Sequence, residues 1–330
     1  MRLNPSFSLP TSIAGHTQAI LAMKGGGKTY LAMKMAELFY AARLPFVALD
    51  PTGVWHGLSV AADGKGPGCE DLVVLGGQHG HAPLESDPAA GKYVAEFVVD
   101  SGRSVVLDMS LFETHAELYR FTASFLSRLY HHKARHQDSL HVFFDEADMA
   151  APQQPGPEQT KVLGAAEACV RRGRHRGLGM TLITHRPAVL NKNLLEMCDT
   201  LWLKRMVGSL DQRAVRQRLA VDMPADKVEA VASSLARMEQ NEAFVFSPYA
   251  LKHQGLVTID RRITFDSSRT PEPGVHQASP RYQSAIDLEK LSSDIKAAVV
   301  RAQERDPVAL RQKVISLERE LAKAKQPQPG

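Results

Sequence analysis

The chain has 330 residues, enough for one large α/β domain with an appendage or for two domains, and its formal net charge of +4 exerts no decisive pull toward nucleic acid. Its three cysteines, Cys69, Cys169 and Cys198, lie far apart with no CxxC pair, which excludes a disulfide framework and a zinc site and fits a reducing, cytoplasmic setting. Residues 1–6 carry no apolar signal core and no run approaches about 18 apolar residues, so membrane insertion is not expected.

In chain order, the apolar run Ala19-Ile20-Leu21 predicts a strand, and residues 30–37 predict the helix that follows it. Between them stand Ala22, Met23, Lys24, Gly25, Gly26, Gly27, Lys28 and Thr29, the pattern of a phosphate-binding loop that extends into Tyr30. Glycines let backbone N–H groups turn around a polyphosphate, and Lys28 can reach the outer phosphates. The Thr29 hydroxyl can ligate Mg²⁺, and the helix N-terminus adds partial positive charge. Ala22 occupies the place where the pattern usually has its first glycine.

Residues 44–51 predict a buried parallel strand ending at Asp50-Pro51, and residues 56–92 predict loops around a strand at 71–75. A helix is expected over 90–100, a strand over 104–108, and a helix over 113–135 with Leu118, Phe121, Phe125 and Leu129 at helical spacing. Residues 140–146 predict a strand ending in Asp145-Glu146, 158–172 a helix, and 180–184 and 200–204 two more strands. Repeated βα units predict an α/β fold: an open, mostly parallel sheet with helices on both faces. Helices over 210–219 and 225–238 and strands over 243–246 and 256–259 follow. Residues 266–280 read as a linker and 281–325 as a helical tail. In that tail Leu310, Val314, Leu317 and Leu321 form a short coiled-coil-like seam; it is followed by a disordered end at 326–330.

Asp145 and Glu146 fit the second element of a phosphate-loop NTPase, the first carboxylate holding Mg²⁺ through water and the second polarising the attacking water. The letters of residues 145–148 spell the name of a helicase class, but those helicases need a second nucleotide-domain lobe for which this chain has no room. Arg171, Arg172, Arg174 and Arg176 form the densest positive cluster. They are open to three readings: a finger toward a γ-phosphate across a subunit boundary, contacts to a DNA backbone, or a solvated loop. Thr184 and His185 end a strand where they can sense the γ-phosphate or simply close the strand. His132 and His136 read as a solvated helix end, and His79 and His81 receive no role.

The loop, the Asp50-Pro51-Thr52-Gly53 turn, the Asp145-Glu146 strand, the Arg-Gly-Arg segment and Thr184-His185-Arg186-Pro187 occur in one order. That order resembles the FtsK/HerA superfamily of ATPases, closest to its HerA-like branch, over about residues 9–265, with His16 preceding the loop strand. The resemblance implies a RecA-like ATPase domain over 1–265 that hydrolyses ATP with Mg²⁺, a ring that is usually hexameric, and movement of double-stranded DNA. By the same resemblance Lys28 and Thr29 bind phosphate and Mg²⁺, Glu146 activates water, and an arginine among Arg171, Arg172, Arg174, Arg176 and Arg186 serves a neighbouring subunit. Three departures stand out: neither an N-terminal barrel nor a winged-helix module is visible, His185 stands where glutamine is usual, and Ala22 replaces a glycine. Two functions are therefore expected in competition, a DNA-translocating ring ATPase and a nucleotide-gated scaffold whose tail docks an effector such as a nuclease.

Overall fold

The computed structural model describes residues 1–268 and 288–303. A small hairpin of β1 (Arg2–Asn4) and β2 (Phe7–Ser8) leads into β3 (Thr17–Leu21), the phosphate loop and α1 (Lys28–Ala41). Then follow β4 (Phe46–Asp50), β5 (Val73–Gly76), α2 (Pro88–Ser101), β6 (Val105–Asp108), α3 (His115–His132), β7 (Leu140–Phe144), α4 (Ala147–Ala150) and α5 (Pro157–Arg172). The remainder runs β8 (Leu178–Thr184), α6 (Lys192–Glu196), β9 (Thr200–Leu203), α7 (Ser209–Leu219), α8 (Ala225–Leu235), β10 (Glu242–Ser247), β11 (His253–Thr258) and α9 (Leu288–Gln303).

One sheet of nine strands has the order β11-β10-β9-β3-β8-β7-β4-β6-β5. The strands from β9 to β5 are parallel, and β10 and β11 add antiparallel to β9. Successive side chains point to opposite faces, so Val47, Leu49, Val142 and Phe144 join one core with α2, α3 and α5. Ala48, Val106, Phe143 and Ile183 join the other, with Leu31, Met35 and Phe39 of α1. Because both faces are covered, these strands need apolar residues at every position, and this produces the unbroken apolar runs of the sequence. His141 fits inside such a run because Ala14 O and Thr181 Oγ1 each lie 2.7 Å from a ring nitrogen, and burial lowers its pKa to about 4.

The expected strands and helices are present, with shifted ends. The last strand begins at His253 rather than 256 because the whole segment pairs with β10, and the helix expected to reach 238 stops at Leu235. In the tail, α9 packs Leu291, Ile295 and Val299 against the core beside α2, and Asp294 hydrogen-bonds Tyr93. Residues 266–268 still contact the body, Ser267 Oγ donating to Val54 O. The expected seam at 310–321, the end at 326–330 and most of the linker lie outside the described residues. Among the described residues no helix is long and apolar enough to cross a membrane.

Candidate nucleotide site

The loop leaves β3 strapped to both neighbouring strands: Ala22 N donates to Thr184 O at 3.3 Å and Met23 N to Arg205 O at 2.8 Å. Gly25 and Gly27 take left-handed φ of 75° and 78°, which an L side chain resists, and Gly27 caps α1. Gly26 is needed for space. A Cβ there would lie 3.0 Å from both the Ala22 Cβ and Met23 O, so the methyl of Ala22 fits because Gly26 has none. The loop therefore delivers the open N-terminus of α1, with Lys28 and Thr29 in its first turn, to the C-terminal edge of the sheet.

The acids stand on the same edge, at the tip of β7. Asp145 is buried, its Oδ2 accepting from Trp55 Nε1 at 3.0 Å and its Oδ1 from Glu146 N at 3.0 Å. Glu146 takes a left-handed backbone, φ 50°, uncommon for a residue with a side chain. Its Oε1 accepts from Lys28 Nζ at 2.7 Å, and its Oε2 lies 2.6 Å from His185 Nδ1. Lys28 Nζ also lies 3.5 Å from Thr29 Oγ1 and 3.8 Å from Asp145 Oδ1. Behind them Thr184 Oγ1 donates to Asp148 Oδ1 at 2.5 Å, and ligand atoms of Glu146, Asp148 and His185 converge within 4.8 Å.

Burial works to raise the Glu146 carboxyl, but the charge and hydrogen bond of Lys28, joined by His185, outweigh it and the pKa falls. Lys28 is the counterpart: burial disfavours its charge, Asp145 and Glu146 more than restore it, and its pKa rises. Asp145 and Asp148 are both raised, chiefly by burial.

The Asp50 turn supports this edge. Asp50 Oδ1 accepts from Thr52 N, Thr52 Oγ1 and Gly53 N at 2.8–2.9 Å, and Oδ2 accepts from Trp55 N at 2.8 Å. The turn thus presents Trp55, whose indole holds Asp145. Burial and the neighbouring Asp108 push Asp50 up to about 7.

The structure brings Lys28, Thr29, Asp145, Glu146 and His185 together, and it disperses the arginines. Arg186 is exposed on the site's edge, its N donating to Thr184 Oγ1 at 2.9 Å. Arg174 is exposed just before β8 begins, at the opposite end of the sheet, so it does not reach its own chain's loop. Arg176 lies 3.7 Å and Arg172 5.4 Å from the Tyr130 ring centroid, with Arg176 also donating to Tyr130 O. His16, too, sits at the far end, 3.1 Å from Asp199. His132 is tied to Asp100 at 2.7 Å, one helix end to another.

Three residues of the site escaped sequence reasoning: Trp55, Asp148 and Lys204. Lys204 is fully buried behind the loop, its Nζ donating to Gln240 O and Glu242 O at 2.9 Å, and burial lowers its pKa to about 8. Its Cε would stand 3.1 Å from a Cβ on Gly27. A lysine closing an apolar strand was the available signal for it. Asp148, two residues past Glu146, had only the helicase-like spelling to mark it.

No family model matches this sequence. The probable helicase MJ1565 of Methanocaldococcus jannaschii is 26% identical over 122 residues, 37% of this chain and 22% of that protein's length. The genome packaging NTPase B204 from Sulfolobus turreted icosahedral virus 2 superposes with a TM-score of 0.48 at 14% identity, covering 76% of this chain and 98% of B204. VirB4 of Thermoanaerobacter pseudethanolicus superposes with a TM-score of 0.53 at 12% identity, covering 74% of this chain and 89% of VirB4. The chain accordingly has an α/β fold with a mostly parallel nine-stranded sheet and a RecA-like P-loop core resembling that of VirB4.

Proposed function

We propose that the chain binds and hydrolyses ATP as one subunit of a HerA-like ring and that hydrolysis drives movement on double-stranded DNA. The observation that carries the hydrolytic reading is the convergence of Lys28, Glu146 and His185 beside the loop at the N-terminus of α1. At rest Lys28 is engaged by Glu146. An arriving triphosphate competes for the ammonium, and Glu146 then loses the partner that lowers its pKa and becomes the stronger base for the attacking water. His185 keeps the freed carboxylate oriented.

Thr29 and Asp145 would hold Mg²⁺. Their oxygens already flank one cation, the Lys28 ammonium, and suit a hard ion. When bound, the ion neutralises charge between the phosphates. Arg174, on the edge remote from its own loop, fits the role of a finger toward the next subunit, with Arg186 the other candidate. The DNA direction draws its support from the relative named a probable helicase and from the order of motifs.

The test is steady-state phosphate release with Mg²⁺, with and without linear double-stranded DNA, using Lys28→Ala as the blank. DNA stimulation supports the motor. A second reading, a nucleotide-gated scaffold for an effector such as a nuclease, is favoured by one feature: the segment leading to the tail packs on α1 through Glu37. ATP binding with turnover indifferent to DNA would select it.

A further inference from the structure

Beside the first turn of α1 lies a pocket of about 600 Å³ lined by Tyr30, Gln240, Asn241, Ile259, Arg261 and Asp266. Apart from Tyr30, its walls come from the turn between α8 and β10 and from the segment after β11, both remote from the loop in sequence. The pocket nevertheless adjoins the loop directly: Tyr30 follows Thr29, and Gln240 Cγ would lie 3.2 Å from a Cβ on Gly27.

Charged side chains fix these walls. Lys204 clamps the carbonyls of Gln240 and Glu242. Glu37, buried on α1, accepts from Ile263 N at 3.0 Å, Thr264 N at 2.9 Å and Thr264 Oγ1 at 2.6 Å. Arg262, 3.6 Å from Glu37, donates to Thr264 Oγ1 and Phe265 O, and Lys34 donates to Arg261 O. Finally, Arg262 N donates to the Tyr30 hydroxyl at 2.9 Å, which fixes the ring at the pocket wall. Burying charged groups costs several kcal/mol per ion, and here they hold a coil of no regular structure in one shape against the loop's helix.

We propose that this pocket receives the nucleoside of the bound triphosphate, the base lying against Tyr30 and Ile259 and the amides of Gln240 and Asn241 meeting its polar edges. This rests on the nucleotide reading of the loop. Once the phosphates are fixed at residues 25–29, the nucleoside must leave the loop into adjoining space, and this pocket begins one residue away. Its volume lies within the roughly 300–1,000 Å³ of small-molecule sites, and it pairs an aromatic and an aliphatic wall with a few polar groups, the make-up such sites share.

Calorimetric titration separates the two halves of the site by comparing ATP with inorganic tripolyphosphate, which has no nucleoside. Tyr30→Ala and Asn241→Trp, the second filling the pocket from an exposed position, are expected to weaken ATP by about tenfold or more and to leave tripolyphosphate unchanged. Tyr30→Phe, which keeps the ring but loses the acceptor for Arg262 N, is expected to weaken ATP less than Tyr30→Ala does. If Lys28→Ala abolishes binding of both ligands while Tyr30→Ala and Asn241→Trp bind ATP normally, or lose both ligands equally, the pocket assignment is overturned and the loop reading stands. If Lys28→Ala binds both ligands as wild type does, the loop reading itself falls and the pocket assignment with it.

Discussion

Replacing Glu146 by glutamine separates the two jobs its carboxylate performs. In the free protein Glu146 holds Lys28 at 2.7 Å, with side chains only 17% and 13% exposed, so the pair is little screened. A hydrogen bond to a charged group is worth about 1.5–3 kcal/mol and a neutral one about 1 kcal/mol. Glu146→Gln therefore releases Lys28 by about 0.5–2 kcal/mol, which is roughly 2- to 30-fold in an equilibrium constant. Removing a negative charge that faces the incoming phosphates acts in the same direction. The variant is expected to bind a non-hydrolysable ATP analogue more tightly than wild type while losing about 10²–10⁴-fold in turnover through loss of the base. Calorimetry with the analogue and Mg²⁺ reads the first quantity, and phosphate release reads the second. Undiminished turnover, or weaker analogue binding in a variant that melts like wild type, refutes the reasoning.

Arg262→Met leaves the buried Glu37 with Lys34, at 3.2 Å, as its cation and removes the guanidinium's bonds to Thr264 and Phe265; it is expected to destabilise the fold by about 1–3 kcal/mol, read from the denaturant midpoint. An unchanged midpoint would show the pair to be dispensable. Asp50 gives a pH signature: its folded pKa of about 7 stands above its ordinary 3.8, so the folded chain keeps a proton that the unfolded chain releases. That stability is fully present below about 4 and is lost as the pH rises through about 7. Urea midpoints across this window should decline in the wild type and decline less in Asp50→Asn; equal slopes would exclude Asp50 as the source. Arg174→Ala should retain ATP binding and lose turnover, and mixing it with Lys28→Ala should restore part of that turnover if the arginine acts on a neighbour.

The strands β4, β6, β7 and β8 were legible because burial on both faces demands unbroken apolar runs, and the loop was legible because its glycines and Lys28-Thr29 are adjacent in the chain. Their neighbours in space were not. Nothing local states that β9 lies beside β3, or that β10 and β11 turn antiparallel to extend that edge. Trp55 holds Asp145 from 90 positions away, and Glu37 meets Ile263 from 226. Lys204 was legible only as the residue closing an apolar strand, because the two carbonyls that it clamps behind the loop lie 36 and 38 positions away. The arginine cluster looked like one patch. The fold divides it, two residues stacking on Tyr130 and Arg174 remaining exposed.

The bond between Glu37 and the 262–264 coil also bears on how this sequence can change over time. Glu37 altered alone takes the acceptor from Ile263 N and Thr264 N and leaves Arg262 to Asp266, whereas Arg262 altered alone leaves Glu37 to Lys34, so a change at either end is felt at the other. Drift at position 37, in the first helix, is thereby tied to drift in the coil beyond the last strand of the sheet. Across related sequences, the two ends of the domain are expected to vary together.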